Sequence, residues 1–110
     1  MPRRIINKAS GTQDGQLHEY ELVLIISPEV VEERFDAIIA GVSQFITGNG
    51  GTVSNVERWG KRRLAYPIEH FTEGSYTLTH FRSKPALNKK LEANLEISEE
   101  VLRHLLIKTE

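Results

Sequence analysis

The sequence predicts an α+β domain of the ferredoxin-like βαββαβ type, with a four-stranded antiparallel sheet and two helices packed on one face. Apolar residues alternate with period two in some segments and follow the three-to-four spacing of an amphipathic helix in others. These segments come in the order strand, helix, strand, strand, helix, strand. At 110 residues the chain has the length of one domain that can bury its own core.

The first strand begins near Glu19. Its second face becomes apolar at Val23 and Ile25, which indicates a central strand of the sheet. Alternate residues form its first apolar face: Tyr20, Leu22, Leu24 and Ile26.

The next segment predicts a helix with a start signal at Ser27-Pro28-Glu29. Ser27 provides a hydroxyl N-cap, Pro28 fits the first helical position, and Glu29 suits the positive end of the helix dipole. A helix of about five turns follows, with apolar residues Val31, Phe35, Ile38, Ile39, Val42 and Ile46. Residues 48–51, Gly-Asn-Gly-Gly, come at a helix C-terminus, so we expect a cap and turn there and not a phosphate-binding loop.

The second half of the chain begins with a strand predicted from about Thr52 to Ile68, bent at Gly60. Residues 71–74 are predicted as a turn that leads into a third strand from Ser75 to Arg82.

A shorter helix opens at Pro85, where leucines fall four residues apart at Leu87, Leu91 and Leu95. The last strand, Val101 to Lys108, mixes apolar and charged residues, as expected of an edge strand.

Composition excludes several kinds of site. The chain has no cysteine, which excludes a disulfide framework, a thiolate metal site and a cysteine nucleophile. Its four histidines lack the spacing that places two imidazoles on one metal, and no nucleophile elbow occurs. We therefore expect no catalytic residue, no metal, no cofactor and no small-molecule substrate. The longest apolar stretch, Leu22 to Ile26, is far short of the ~20 residues that cross a bilayer, so we expect no membrane and a cytosolic protein.

The formal net charge of −1 and the pI of about 6.4 argue against binding nucleic acid by bulk electrostatics. The charges are unevenly distributed, however. Residues 1–17, which include Arg3 and Arg4, predict a flexible basic arm ahead of a single domain at 18–110. Acidic residues gather on the first helix.

The most informative segment is residues 58–63, Arg-Trp-Gly-Lys-Arg-Arg, which holds four of the 14 lysines and arginines. Such cations displace counterions from RNA phosphates. Trp59 suits stacking on a base or filling a pocket on a protein partner. The alternative is a solvated strand whose tryptophan lies in the core.

Residues 59–68, Trp-Gly-Lys-Arg-Arg-Leu-Ala-Tyr-Pro-Ile, resemble the bacterial family of small-subunit ribosomal protein six. Four further segments resemble the family less specifically and occur in the family's order along the chain: residues 20–28, 50–53, 73–76 and 101–108. The resemblance covers about residues 18–108. The long N-terminal arm departs from the family, whose chains often begin almost at the first strand, and the chain ends without the charged C-terminal tail that many members carry.

The resemblance implies a structural, non-catalytic protein of the small ribosomal subunit. It implies binding to the central domain of 16S ribosomal RNA as a heterodimer with small-subunit ribosomal protein eighteen, whose basic surface supplies much of the positive charge. RNA proximity carries over to Lys61, Arg62, Arg63 and Arg103. Further RNA candidates are Arg58, Arg3 and Arg4, and candidates for partner contact or stacking are Trp59 and Tyr66.

Other functions stay open for this fold. A single-strand reader of the RRM type would need paired aromatic residues on the third strand, and residues 73–81 lack them in register. A small-molecule-binding regulatory domain and an acylphosphatase-like enzyme also remain. Such an enzyme would hold an anion after the first strand, where this sequence has Pro28 and Glu29.

Overall fold

The computed structural model describes residues 16–109, so the predicted basic arm, with Arg3 and Arg4, lies outside the described residues except for Gln16 and Leu17. The elements are β1 (His18–Ile26), α1 (Glu32–Gly48), β2 (Thr52–Ile68), β3 (Phe71–Ser83), α2 (Pro85–Glu96) and β4 (Val101–Lys108). All pairings in the four-stranded sheet are antiparallel, and the strand order is β2-β3-β1-β4. The predicted ferredoxin-like fold is confirmed, with β1 central and β4 at an edge.

Side chains alternate along β1 and decide where the core lies. From Tyr20 to Ile26, those on one side, including Leu22 and Leu24, are at most 6% exposed. Burial of each such leucine contributes about 1.5–3 kcal/mol. They pack against the buried faces of both helices, which are formed by Phe35, Val42, Ile46, Leu87, Leu91 and Leu95. We call the other side of the sheet the open face; it carries Val23, Ile25, Tyr76 and Leu105.

The start of α1 differs from the prediction. The helix begins at Glu32 and not near Ser27. The Oγ of Ser27 accepts the N–H of Glu29 at 3.3 Å, and its carbonyl accepts the N–H of Val30 at 3.2 Å. Ser27 therefore caps a turn ahead of the helix. Serine followed by proline is favoured in turns as well as at helix starts, so the local signal misplaced the first turn of α1.

The segment that follows α1 is a cap and a turn, as predicted. The N–H groups of Asn49 and Gly51 donate to the carbonyl of Ile46 at 3.2 and 2.8 Å. Gly51 lies very close to its neighbours: an added Cβ would be 2.7 Å from Cγ2 of Ile46 and 2.9 Å from the carbonyl oxygen of Arg82. This close approach of α1 to β3 requires glycine at position 51.

The predicted bend in β2 is a β-bulge at Gly60. Arg58 pairs with Thr77 and Gly60 with Tyr76, so Trp59 is an extra residue in β2. Gly60 has a φ of 82°, a conformation that glycine adopts without a steric penalty. The bulge shifts the alternation of side chains for the rest of the strand.

A larger irregularity lies nearer the end of β2. Arg63 and Ile68 pair with β3 residues only two positions apart, so residues 64–67 loop out of the ladder. We call these residues the 64–67 bulge. The hairpin then turns at Glu69 and His70, which have φ values of 50° and 71°, as in tight hairpin turns. The prediction of a turn at 71–74 was wrong, because those residues already belong to β3.

Within residues 16–109, no helix is both long and apolar enough to cross a membrane.

The close approach at Gly51 leads to a stability prediction. We expect Gly51→Ala to lower the free energy of unfolding by about 1–3 kcal/mol, because the methyl group must displace Ile46 and the backbone of Arg82. Gly41 in α1 is the matched control, since an added Cβ there meets nothing within 4 Å. We expect Gly41→Ala to raise the free energy of unfolding by up to about 1 kcal/mol. Denaturant titration measures both, and equal effects would contradict the close approach.

Candidate nucleic-acid interface

Arg58 lies on the helix side of β2, where the acidic start of α1 holds it. Its guanidinium donates to Oε2 of Glu32 at 2.9 Å and lies 3.1 Å from Oδ1 of Asp36. It also lies 4.6 Å from the ring centroid of Phe35. These exposed ion pairs contribute at most about 1 kcal/mol each. Arg58 is therefore engaged within the fold, and its contact with RNA stays a prediction.

Lys61, Arg62 and Arg63 are exposed, and none forms an ion pair with a described carboxylate. They follow the Gly60 bulge. Lys61 pairs with Ser75, the residue at which the pairing between β3 and β1 ends. The β2 residues after Lys61 therefore extend past the ladder of β1. The hairpin thus carries three positive charges that nothing in the described part of the chain neutralises by direct contact.

Arg103 projects from β4 onto the open face and meets Tyr66 of the 64–67 bulge. Its Nη1 donates to the Tyr66 hydroxyl at 2.6 Å, and its guanidinium carbon lies 6.0 Å from the ring centroid. Arg103 likewise has no ion pair with a described carboxylate. The two residues are 37 positions apart in sequence, so only the fold brings them together.

Trp59 lies on the open face and not in the core, with 38% of its surface exposed. Its ring stacks on Tyr76, with centroids 6.3 Å apart and an interplanar angle of 15°. The guanidinium carbon of Arg62 lies 5.4 Å from the Trp59 centroid. We call Tyr76, Trp59 and Arg62 the stacked column. The interpretation of Trp59 as a core residue is wrong.

Glu57 fixes the edge of the indole. Its Oε1 accepts the Nε1–H of Trp59 at 3.1 Å, and its Oε2 lies 3.2 Å from Nε2 of His80 and accepts from Nδ2 of Asn55 at 3.3 Å. His80 also lies 3.4 Å from Glu21. The hydrogen bond from Trp59, followed by that from His80, lowers the pKa of Glu57. Sequence reasoning missed Glu57, although a spacing of two on a strand was a signal that it lies beside Trp59.

An apolar groove of about 310 Å³ lies beneath the 64–67 bulge. Tyr66 and Arg103 are among the residues that line it. Most of its lining is apolar, so it suits an apolar side chain of a partner better than the reacting group of a substrate. The apolar lining residues include Val23, Ile25, Leu64, Ile68 and Leu105. In the part of the chain that the structure describes, no group of three or more histidine, aspartate or glutamate side chains is arranged to hold a metal ion.

The sequence and the fold of this chain are similar to those of known proteins. The family model described as Ribosomal protein S6 matches residues 19–108. Small ribosomal subunit protein bS6 from Moorella thermoacetica is 38% identical over 94 residues, which cover 86% of this chain and 96% of that protein. The bS6 protein of Dehalococcoides mccartyi strain 195 is 41% identical over 91 residues, covering 83% and 84%. The crystal structure of 30S ribosomal protein S6 from Thermotoga maritima superimposes with a TM-score of 0.81 at 32% identity, covering 86% of this chain and 89% of that one.

The hydrogen bonds of Glu57 lead to a pH prediction. Its pKa in the folded protein is lowered from the ordinary value of 4.5. A carboxylate of this kind stabilises the fold above its unfolded pKa and loses that contribution as the pH falls through its folded pKa. We therefore expect Glu57→Gln to lose less stability than the unmodified chain as the pH falls below 4.5. Urea unfolding between about pH 7 and about pH 3 tests this. An equal loss of unfolding free energy in both proteins over the acid range would contradict it.

Proposed function

Because this chain belongs to the ribosomal protein S6 family of the small ribosomal subunit, we propose that it binds 16S ribosomal RNA together with small-subunit ribosomal protein eighteen. The proposed contact is with the central domain of that RNA, and the proposed role is structural and not catalytic. Small-subunit proteins of this family act in the bacterial cytoplasm, which is therefore the compartment of this chain.

The unpaired cations on the hairpin carry the RNA part of the proposal. Lys61, Arg62 and Arg63 are consecutive in β2 and have no described carboxylate in contact, whereas Arg58 is neutralised by α1. A cation without an internal partner loses no ion pair when it meets a phosphate, and it releases counterions from the RNA as it binds. The hairpin is therefore the part of the described chain best suited to a phosphate backbone.

The net charge supports a second protein in the complex. At −1, the chain as a whole does not attract a polyanion, so a basic partner is needed to strengthen a local contact. The open face also exposes apolar surface: Tyr66 is 58% exposed, Leu105 56% and Ile107 41%. Exposed aromatic and aliphatic side chains beside an apolar groove suit a protein interface. We propose that Tyr66 contributes to this region, that Trp59 acts through ring stacking, and that Arg3 and Arg4 of the arm add RNA contacts.

Salt dependence tests the RNA contact. We expect a central-domain fragment of 16S ribosomal RNA to bind this chain more tightly when protein eighteen is present. Replacing Lys61, Arg62 and Arg63 by alanine should flatten the slope of log K against log salt by up to about three units, because each lost phosphate contact removes about 0.9. Filter binding across a salt series measures the slope.

Matched controls separate the hairpin from general charge. Lys89→Ala with Lys90→Ala removes two positive charges from the exposed surface of α2, and we expect the slope to stay unchanged. Arg58→Ala should change it much less than Arg63→Ala, since Arg58 is held by Glu32 and Asp36. Partner-independent binding, or equal slopes for the hairpin and α2 variants, would count against the proposal.

A further inference from the structure

The stacked column distinguishes one hairpin cation from its neighbours. We propose that Arg62 is a preorganised phosphate-binding residue that contacts an RNA phosphodiester through its planar guanidinium, with Trp59 and Glu57 as its positioning residues. This inference rests on the proposed function, because it takes the hairpin as the side that meets RNA. It goes further by distinguishing the cation that recognises the geometry of a phosphate from the cations that supply only charge.

The indole of Trp59 is held at its edge and on its face. At the edge, the N–H donates to Oε1 of Glu57, and the other oxygen of that carboxylate is held by His80 and Asn55. On the face, the ring stacks on Tyr76. A ring held in these two ways is a fixed surface and not a mobile exposed side chain.

The Gly60 bulge places Arg62 on this surface. In an unbroken strand, residues 59 and 62 would lie on opposite faces. Because Trp59 is an extra residue in β2, the two side chains share the open face, and the guanidinium carbon lies 5.4 Å from the indole centroid. A guanidinium over an aromatic ring keeps its N–H groups available at its edge, where they can donate to two phosphate oxygens at once.

Lys61 and Arg63 have no such support. Neither has a described ion pair, and neither lies over a ring. Their contribution to RNA binding therefore depends on charge and not on side-chain shape. Arg62, in contrast, enters the complex with less rotational freedom to lose, which favours affinity without additional contacts.

Two charge-conserving variants test the difference. We expect Arg62→Lys to weaken binding to the central-domain fragment about tenfold, because lysine keeps the charge but loses the planar double donor. The salt slope should stay the same, since the number of cations is unchanged. Arg63→Lys, the matched control, should change affinity less than about twofold. Equal affinities for Arg62→Lys and Arg63→Lys would overturn the inference.

The same measurements separate this inference from the proposed function. If alanine at Lys61, Arg62 and Arg63 leaves RNA binding intact, the hairpin does not face RNA and the proposed function fails. If alanine weakens binding but Arg62→Lys behaves like Arg63→Lys, the proposed function stands and Arg62 is an ordinary cation. If Arg62→Lys instead weakens binding of protein eighteen without RNA, the column is a protein contact and the inference is overturned.

The positioning role has its own readout, because Trp59 is the chain's single tryptophan. We expect Glu57→Leu to weaken RNA binding about as much as Arg62→Lys, and Glu57→Gln to restore it, since glutamine still accepts the indole N–H. In the free protein, Glu57→Leu should shift the Trp59 emission and increase its quenching by acrylamide, whereas Glu57→Gln should not. Circular dichroism confirms that each variant is folded. Full RNA affinity in a folded Glu57→Leu variant would overturn the role of Glu57.

Discussion

The alternation of side chains along β1 is the constraint on which the rest of the structure depends. One side of the strand is buried beneath both helices, so shifting its register by one residue would expose the core. The antiparallel pairing carries this orientation to its neighbours: Leu24 lies opposite Thr77 on β3 and His104 on β4. The second side of the sheet is therefore left without helices. On that side, two of the irregularities of β2 place Trp59 and Tyr66, and Arg103 of β4 contacts Tyr66.

Charge is distributed according to the same geometry. The first turns of α1 lie close enough to β2 for Glu32 and Asp36 to hold Arg58, but the hairpin beyond Gly60 extends past the ladder of β1. Cations that follow Gly60 in sequence are thus separated from the acidic helix by the architecture. A net charge of −1 consequently coexists with a local basic surface, which suits a protein that contacts RNA at one place and relies on a partner for additional attraction.

Much of the fold followed from patterns within short windows. The bounds of β2 and β4 agree with the prediction, because alternation and turn residues were both present at their ends. The start of α1 and the β2–β3 turn were misplaced. At Ser27, the serine–proline pair fits a turn and a helix start equally well. The N–H of Ser27 donates to the carbonyl of Glu100, a residue so distant in sequence that no local pattern could reveal the contact. At Glu69 and His70, two residues other than glycine adopt positive φ, which turn statistics do not favour.

The sequence by itself determined the class of fold, the family and the basic segment at residues 58–63 that holds most of the candidate interface. All three depend on residue type and spacing. Only the tertiary structure decided what each cation does. Arg58 and Arg62 lie in the same short segment, yet one is paired with α1 and the other lies over an indole. The physical reason is that an ion pair or a ring stack depends on a few ångströms through space. A single extra residue at a bulge changes which side chains come within that distance.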